Sequence, residues 1–211
     1  MRPTKKQLTL FGVITWLMAV FVFVCQIFWE NELVYNLPTP VPKNHTEIPQ
    51  GTLLQLNDRM TVAGGKPMLI HFFNPKCPCS RFNMTHFKTL VRKYGSQMDF
   101  AVVVLSQDGS TTQEQIKDRF NIDLPIYFDE EIAKRCGVIA TPQAVIIDNS
   151  KLFYRGNYNK SRYCTDTKSN YAQMAIDSLL VKRTMVTFNP LAFTAYGCSL
   201  PSSKTCKYIN P

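Results

Sequence analysis

Cys77-Pro78-Cys79 stands where an apolar strand pattern gives way to a helical one, and this junction constrains the fold of the chain most. The run over 68–73 is continuously apolar apart from His71, as expected for a strand buried on both faces. Residues 81–94 then follow a helical pattern. A cysteine at the start of a helix lies at the positive end of the helix dipole, which stabilises a thiolate. Thiolates attack disulfides or bind soft metals, so the junction predicts one of these chemistries.

Strand and helix patterns alternate through the middle of the chain. The predicted strands are 68–73, 99–105, 124–128, 143–148 and 152–155, and Thr52 to Asn57 is a further short strand or turn. The predicted helices are 81–94, 111–120, 130–135 and 169–183. Asn149-Ser150 separates the last two strands and predicts a hairpin. This alternation favours a three-layer α/β domain.

Three segments resemble the thioredoxin superfamily when they are taken in their order. The first is the strand with its Cys-Pro-Cys-Ser turn at 77–80, the second is Gly137 to Asp148, and the third is the Tyr-Arg-Gly strand at 151–156. The chain is most similar to bacterial membrane-anchored redoxin or TlpA-like proteins. The resemblance implies a thioredoxin-like three-layer α/β sandwich with a central mixed sheet, which we place at 51–183.

The chain also departs from the usual motif of this superfamily. Ser80 stands where the second cysteine of Cys-x-x-Cys belongs, and Lys76 replaces the tryptophan before the motif. His71 stands where classical thioredoxins keep a buried acid, so it is either a proton relay or a packed strand residue. Peroxiredoxin chemistry is not expected, because Asn74 holds the place of the threonine in that family's motif.

The resemblance implies roles for four site residues. Cys77 falls on the nucleophile, which would form a mixed disulfide with a partner. Cys79 is the nearest cysteine that could resolve this intermediate, but a ring between positions i and i+2 is strained, so a distant cysteine is the alternative. Thr141 and Pro142 match the loop whose proline is cis, and the Thr141 backbone would pair with an extended substrate.

The other cysteines leave several pairings open, because six of the seven lie beyond the apolar N-terminal segment. We expect a structural disulfide Cys164–Cys198 that ties the tail to the domain. The alternative is a relay in which tail cysteines, Cys198 or Cys206, pass electrons to Cys77. Cys136 is either a buried thiol or a resolving cysteine. A metal-ligand role for His86 is the less favoured reading, and no metal site is assigned.

The N-terminus predicts a membrane anchor. Residues 8–29 carry no charge, and Lys5 and Lys6 precede them, so the positive-inside rule keeps 1–7 in the cytoplasm. Prolines in 30–50 predict an extended linker, 51–183 form the domain, and 184–211 form an irregular tail. The resemblance is bacterial, so we expect an inner-membrane protein whose C-terminal domain faces the periplasm. Its abundant cysteines fit an exported chain.

Composition and motifs narrow the function. The net charge of +9 is spread along the chain and no nucleic-acid-binding motif is present, so nucleic acid is not an expected partner. No NAD, flavin or haem motif is visible, and no cofactor is expected. The favoured function is a thiol–disulfide oxidoreductase that acts on thiols and disulfides of exported proteins, with an unidentified upstream redox partner. The alternatives are a copper(I)-binding protein or metallochaperone that uses Cys77 and Cys79, and a redox-inactive docking module.

Overall fold

The computed structural model describes residues 3–56, 60, 65–106, 111–181 and 188–200. The chain divides into two compact units, Met1–Leu37 and Pro38–Pro211. Three parts of the predicted elements lie outside the described residues: Asn57 at the end of the predicted first strand or turn, the end of the helix predicted to reach Arg183, and Cys206 in the predicted tail.

The first unit is a single long helical segment. Helix α1 spans Lys5–Phe28 and begins at a capping box in which Thr4 and Gln7 bond each other's backbone. A π-helical turn, Trp29–Leu33, and a 3₁₀ turn, Val34–Asn36, continue it. The segment has a mean hydropathy of 2.5 over its most apolar window, so it is long and apolar enough to cross a membrane.

A five-stranded mixed sheet forms the centre of the second unit. The strands of the unit are β1 Met68–Phe73, β2 Asp99–Val104, β3 Ile126–Tyr127, β4 Ala140–Thr141, β5 Gln143–Asp148, β6 Lys151–Gly156 and β7 Cys198–Ser199. The sheet order is β3-β2-β1-β5-β6. Strands β1, β2 and β3 are parallel to one another. Strand β5 is antiparallel to β1, and β6 is antiparallel to β5. All five strands predicted from the pattern are present.

Four helices pack on this sheet. They are α2 Pro78–Tyr94, α3 Gln113–Phe120, α4 Glu130–Arg135 and α5 Tyr171–Leu180. Helix α3 begins at a capping box formed by Thr112 and Gln115, and α4 begins at Asp129, whose side chain accepts a hydrogen bond from the Glu131 backbone. The sequence predicted each helix, and the ends differ by a few residues because helix termini depend on local capping.

The two faces of the sheet carry separate cores. Leu69 and Phe73 of β1 pack with α2 and α5, whereas Ile70 and Phe72 face the core that includes α4. Alternate side chains of a strand point to opposite faces, and here both faces are buried. The domain therefore has three layers with a central mixed sheet, and the fold is thioredoxin-like, as the resemblance implied.

The hairpin between β5 and β6 forms as predicted. Asn149 and Ser150 both have positive φ, 48° and 62°, which is the backbone that a tight two-residue hairpin turn requires. Asn adopts this conformation more readily than most residues. The predicted first strand is reduced to a single antiparallel bridge between Leu53 and Lys151.

The segment read as an irregular tail is more ordered than the sequence indicated. Residues Pro190–Ala192 form a 3₁₀ turn, Ala192 is buried, and β7 pairs with β4. Asn157 fixes the turn, because its side-chain amide donates hydrogen bonds to the carbonyls of Leu191 and Thr194. Through these contacts residues 188–200 pack on the domain.

Replacement of Phe87 by alanine tests the core on the α2 side. Phe87 is fully buried and stacks on His71 with ring centroids 4.4 Å apart. Loss of this ring leaves a cavity, so we expect Phe87→Ala to lower the free energy of unfolding by about 3–5 kcal/mol. Urea denaturation of the full chain in detergent measures this change.

Phe82→Ala is the matched control on the same helix, because Phe82 is 42% exposed. We expect this variant to lose about 1 kcal/mol or less. Equal losses in the two variants would contradict the assignment of Phe87 to the core.

Candidate functional site

Cys77 occupies the N-cap position of α2, directly after the loop that leaves β1. Its backbone is extended, with φ −76° and ψ 121°, and Pro78 takes the first helical position. Proline suits that position because its missing N–H has no partner there. The Cys77 N–H donates to the Asn74 carbonyl at 3.0 Å, which closes the turn. The sulfur therefore lies at the amino end of a 17-residue helix.

Ser80 stabilises this turn from its buried side. It is fully buried, and its hydroxyl accepts a hydrogen bond from the Asn74 backbone N–H at 3.3 Å. The side-chain oxygen of Asn74 accepts from the Lys76 N–H at 2.9 Å. The residue in place of a second motif cysteine thus holds the loop that carries Cys77. Cys79 is 3% exposed and lies outside the disulfide.

The loop before β5 meets Cys77. The Thr141–Pro142 peptide bond is cis, as the resemblance implied. The Cys77 Sγ lies 3.6 Å from the carbonyl oxygen of Thr141. Antiparallel pairing of β1 with β5 explains this proximity, because Phe72 pairs with Gln143 and so the end of one strand adjoins the start of the other.

A disulfide joins Cys77 to Cys198, with Cα atoms 6.1 Å apart. Cys198 lies in β7, where it pairs with Thr141 in an antiparallel bridge, and Ser199 pairs with Ala140. Cys77 is fully buried and Cys198 is 9% exposed. The tail therefore brings a distant cysteine to the predicted nucleophile, which was the alternative that the sequence left open.

The expected Cys164–Cys198 disulfide is not formed, because Cys198 is bonded to Cys77. Cys164 remains a thiol and accepts a hydrogen bond from the Asn83 amide at 3.1 Å. Burial raises the pKa of Cys164 to about 11. Burial also raises the pKa of Cys136 to about 12, so this fully buried residue is a neutral thiol at pH 7. Its contacts fit the buried thiol, and a resolving role stays a prediction.

Gly197 allows the tail to approach Thr141 closely. Its φ is +117°, a backbone conformation that L-residues with a side chain rarely adopt. A Cβ at this position would collide with the Thr141 carbonyl oxygen. The glycine directly before Cys198 is therefore a requirement of the close backbone contact at the site.

The segment that precedes the domain also holds the tail. The Thr39 N–H donates to the Ala195 carbonyl at 2.8 Å, and the Thr39 hydroxyl donates to the Gly197 carbonyl at 3.2 Å. Pro38 forms an isolated bridge with Tyr196. Further along, the Arg155 guanidinium donates to the carbonyls of Ile48 and Cys136. Parts of the predicted linker are thus bonded to the domain.

His71 lies inside the core on the α2 side. Its Nδ1 is 2.8 Å from the Tyr158 hydroxyl, its ring stacks on Phe87, and its Nε2 makes no hydrogen bond to the residues that the structure describes. Burial lowers the pKa of His71 from 6.5 to about 3, so the imidazole is neutral at pH 7. These contacts fit the packed strand residue, and the proton relay stays a prediction.

His86 is half-buried beside the same tyrosine. Its ring meets Tyr158 edge-on, with centroids 6.1 Å apart, and its Nε2 has no hydrogen-bond partner among the described residues. Within the described part of the chain, no three His, Cys, Asp or Glu side chains converge where they could hold a metal ion. In the disulfide state shown here, the Cys77 sulfur is bonded to carbon and sulfur rather than available as a thiolate ligand.

Residues 47–199 match DUF6436, a domain of unknown function. The chain belongs to this family. No curated protein sequence matches it. The fold of the DUF6436 domain is shared by structures of a hypothetical protein from Sinorhizobium meliloti and of an uncharacterised conserved protein from Geobacillus kaustophilus. The first is 18% identical, with a TM-score of 0.60 over 74% of this chain and 96% of that one.

The Geobacillus kaustophilus protein is 19% identical, with a TM-score of 0.62 over 77% of this chain and 97% of its own. An uncharacterised thioredoxin-like protein from Porphyromonas gingivalis is 16% identical and covers 64% of this chain and 88% of its own, with a TM-score of 0.46. The first two likenesses show the fold of the DUF6436 domain and nothing of its activity.

The sequence singled out Cys77, Thr141 and Pro142, which the structure brings together, and it left Cys198 as an alternative partner of Cys77. It gave no role to Gly197. A glycine directly before a tail cysteine was the available signal, because glycine permits close approach of two backbones. Spacing along the chain gave no preference for Cys198 over Cys206, since only the three-dimensional path of the tail selects between them. The assignments of catalytic roles to Cys77 and Cys79 stay predictions.

The pH dependence of the free energy of unfolding tests the environment of His71. The folded-state pKa of about 3 lies below the ordinary 6.5, so the unfolded chain binds the extra proton between these values. Stability contributed by neutral His71 is therefore complete above pH 6.5 and decreases as the pH falls towards 3. We expect the wild type to lose about 1 kcal/mol per pH unit more than His71→Gln between pH 6 and pH 4.

Urea unfolding at several pH values measures this difference, and His45→Gln is the control because His45 is half-buried near the surface. Burial and then the Arg155 charge also lower the pKa of His45, so His45→Gln should reduce the pH slope, but by less than His71→Gln does. Identical slopes for the wild type and His71→Gln would show that His71 is protonated equally in the folded and unfolded chains.

Proposed function

We propose that this protein is a membrane-anchored thiol–disulfide oxidoreductase in which Cys77 and Cys198 form the redox-active pair. The observation that carries the proposal is the Cys77–Cys198 disulfide beside the cis Thr141–Pro142 bond, at the amino end of α2. The thioredoxin-like fold supports it. Cys77 lies at the end of a helix where a thiolate is stabilised, and Cys198 lies within bonding distance of it.

The proposed reaction is a pair of thiol–disulfide exchanges. The Cys77 thiolate attacks one sulfur of a client disulfide, a new bond joins Cys77 to that sulfur, and the other client sulfur leaves as a thiolate. The Cys198 thiolate then attacks the Cys77 sulfur and displaces the first client sulfur. Two electrons pass from the cysteine pair to the client disulfide. The same steps in reverse oxidise a client dithiol, and the relative reduction potentials set the direction.

Burial of two of the remaining thiols supports the choice of the pair. Cys136 and Cys164 both have raised pKa values because they are buried, so they supply little thiolate at neutral pH. Cys79 lies outside the disulfide, whereas Cys198 is bonded to Cys77 and lies in the short strand next to Thr141. The bond to Cys198 supports the proposal that Cys198 resolves a mixed disulfide on Cys77.

We further propose that α1 anchors the domain in a bacterial inner membrane, with the domain in the periplasm. The apolar length of α1 and the positive charges of Lys5 and Lys6 before it support this orientation. Clients would then be thiols and disulfides of exported proteins, in a compartment where disulfides persist.

A redox titration tests the cysteine pair. The full chain in detergent is equilibrated over a series of thiol–disulfide buffers, its free thiols are alkylated, and each cysteine is mapped by mass spectrometry. We expect Cys77 and Cys198 to change state together in a single two-electron transition. Cys77→Ser should abolish exchange with a disulfide substrate, whereas Cys198→Ser should accumulate a mixed disulfide on Cys77.

Cys164→Ser is the matched control, because Cys164 is a thiol outside the disulfide. It should keep the transition and the exchange activity. The proposal is wrong if Cys77 never pairs with Cys198 at any potential. Protection of Cys77 and Cys79 by stoichiometric Cu(I) in that experiment would instead identify a copper(I) site.

Cell fractionation tests the anchor. A chain expressed in a Gram-negative bacterium should stay in the membrane fraction after carbonate extraction, because α1 is long enough to span the hydrocarbon layer. Protease added to spheroplasts should digest the domain, and an intact cytoplasmic protein is the control for lysis. Release by carbonate, or protection of the domain from protease, would contradict the proposed anchoring or orientation.

A further inference from the structure

The tail strand β7 covers the edge of β4 and closes the site. In the described residues, the backbone partner of Ala140 and Thr141 is Cys198–Ser199 of the same chain. Thr141 is 1% exposed and Cys77 is fully buried in this state. A thiol that approaches from solvent therefore finds Cys198, at 9% exposed, as the outer sulfur of the pair.

Backbone pairing, one apolar side chain and the disulfide hold this strand. The pairing with β4 covers two residues on each side, Pro38 bridges Tyr196, and Thr39 supplies two hydrogen bonds to the backbone of residues 195 and 197. Leu200 is buried in the core that includes α4. The disulfide is the covalent link, so the tail can leave β4 only after the Cys77–Cys198 bond is reduced.

Departure of the tail would expose a short strand edge beside a reactive sulfur. The backbone N–H and C=O groups of Ala140 and Thr141 would then need new partners, and an edge of this kind accepts an added extended segment. The pairing of β7 with β4 shows what kind of segment this edge accepts, since the tail is an extended peptide with its cysteine opposite Thr141.

We infer that residues 196–200 are an internal competitor for the path that a client peptide takes, so that a client pairs fully with this edge only while Cys77–Cys198 is reduced. This inference rests on the proposed function. The resemblance implied an extended client segment beside Thr141, and such a segment would have to displace the tail from Ala140–Thr141. The tail acts as both the resolving thiol and the cover of the docking edge.

The close approach of the tail to Thr141 also restricts which residue can precede the cysteine of a client peptide. Gly197 has φ +117°, and a Cβ there would meet the carbonyl oxygen of Thr141. That oxygen belongs to the main chain, which cannot rotate away as a flexible side chain could. A client that follows the same path therefore needs glycine directly before its cysteine.

Two peptides in trans measure this selectivity on the full-length Cys198→Ser chain in detergent. One has the sequence of residues 194–200, Thr-Ala-Tyr-Gly-Cys-Ser-Leu, and the other has alanine in place of the glycine. Each peptide carries its cysteine as a mixed disulfide with pyridine-2-thiol. The Cys77 thiolate attacks the peptide sulfur, a Cys77–peptide disulfide forms, and pyridine-2-thiolate leaves and is followed by its absorbance.

We expect the glycine peptide to react at least about tenfold faster, because crowding a backbone contact by one methyl group has an effect of this size. Peptide mapping by mass spectrometry verifies that the label is on Cys77. The Cys77→Ser/Cys198→Ser chain supplies the background from other thiols. Free cysteine should react equally with both peptides, which excludes a difference in their intrinsic reactivity.

Competition by the tail is measured in the same assay. Adding Gly197→Ala to the Cys198→Ser chain places a methyl group against Thr141, so the tail should leave and the glycine peptide should react faster by about threefold or more. Gly51→Ala is the matched control, because Gly51 also has positive φ, +84°, but has open space around its Cβ position. This control should not change the rate.

The outcomes separate the inference from the proposed function. Equal rates for the two peptides on Cys77, or no acceleration by Gly197→Ala, overturn the inference and leave the oxidoreductase proposal intact. Failure of Cys77 to react with either peptide overturns both. A faster glycine peptide together with acceleration by Gly197→Ala, but not by Gly51→Ala, supports the internal competitor.

Discussion

Antiparallel pairing of β1 with β5 is the constraint on which the site depends. It sets Phe72 opposite Gln143, so the loop after β1 and the loop before β5 emerge at the same edge of the sheet. Cys77 follows the first loop and Pro142 precedes the second strand. The three-layer packing fixes this register, because a slip by one residue would turn each buried side chain of β1 to the opposite face.

The tail adds to this edge a strand that belongs to no layer of the sandwich. Its position depends on backbone contacts at Thr39 and Thr141 together with the burial of Leu200 in the core that includes α4. Thr39 and Gly197 are the two residues that let three stretches of backbone lie together, one from the segment after α1, one from the tail and one from the loop at Thr141. In the proposed reaction the resolving cysteine lies in this separate segment rather than in the turn before α2, where Ser80 instead holds the Asn74 backbone.

Much of the fold was predictable from the sequence, because hydrophobic periodicity is a local signal. The continuous apolar run over 68–73 and the Asn149-Ser150 turn predicted β1 and the hairpin, and both form. The helix at Glu130–Arg135 was predicted with its observed ends. The position of Cys77 at the start of α2 followed from the same local pattern.

The pairing of Cys77 was not predictable, because it depends on where a tail with little periodicity returns to the domain. Cys164 was expected to pair with Cys198, yet it faces Asn83 within the domain. His71 had two readings from sequence, and its burial against Phe87 and Tyr158 became visible only once β1 and α2 were packed together. Long-range contacts of this kind carry no signature in residue spacing.

The sequence separation of 121 residues between Cys77 and Cys198 couples oxidation to folding. Closing a loop of this length removes conformational entropy from the unfolded chain, worth about 5 kcal/mol in the chain-entropy treatment. By thermodynamic linkage, the folded domain favours the disulfide over the dithiol by the same amount relative to the unfolded chain. The domain thus retains its oxidised form because it is folded, and it gains resistance to unfolding each time it is oxidised.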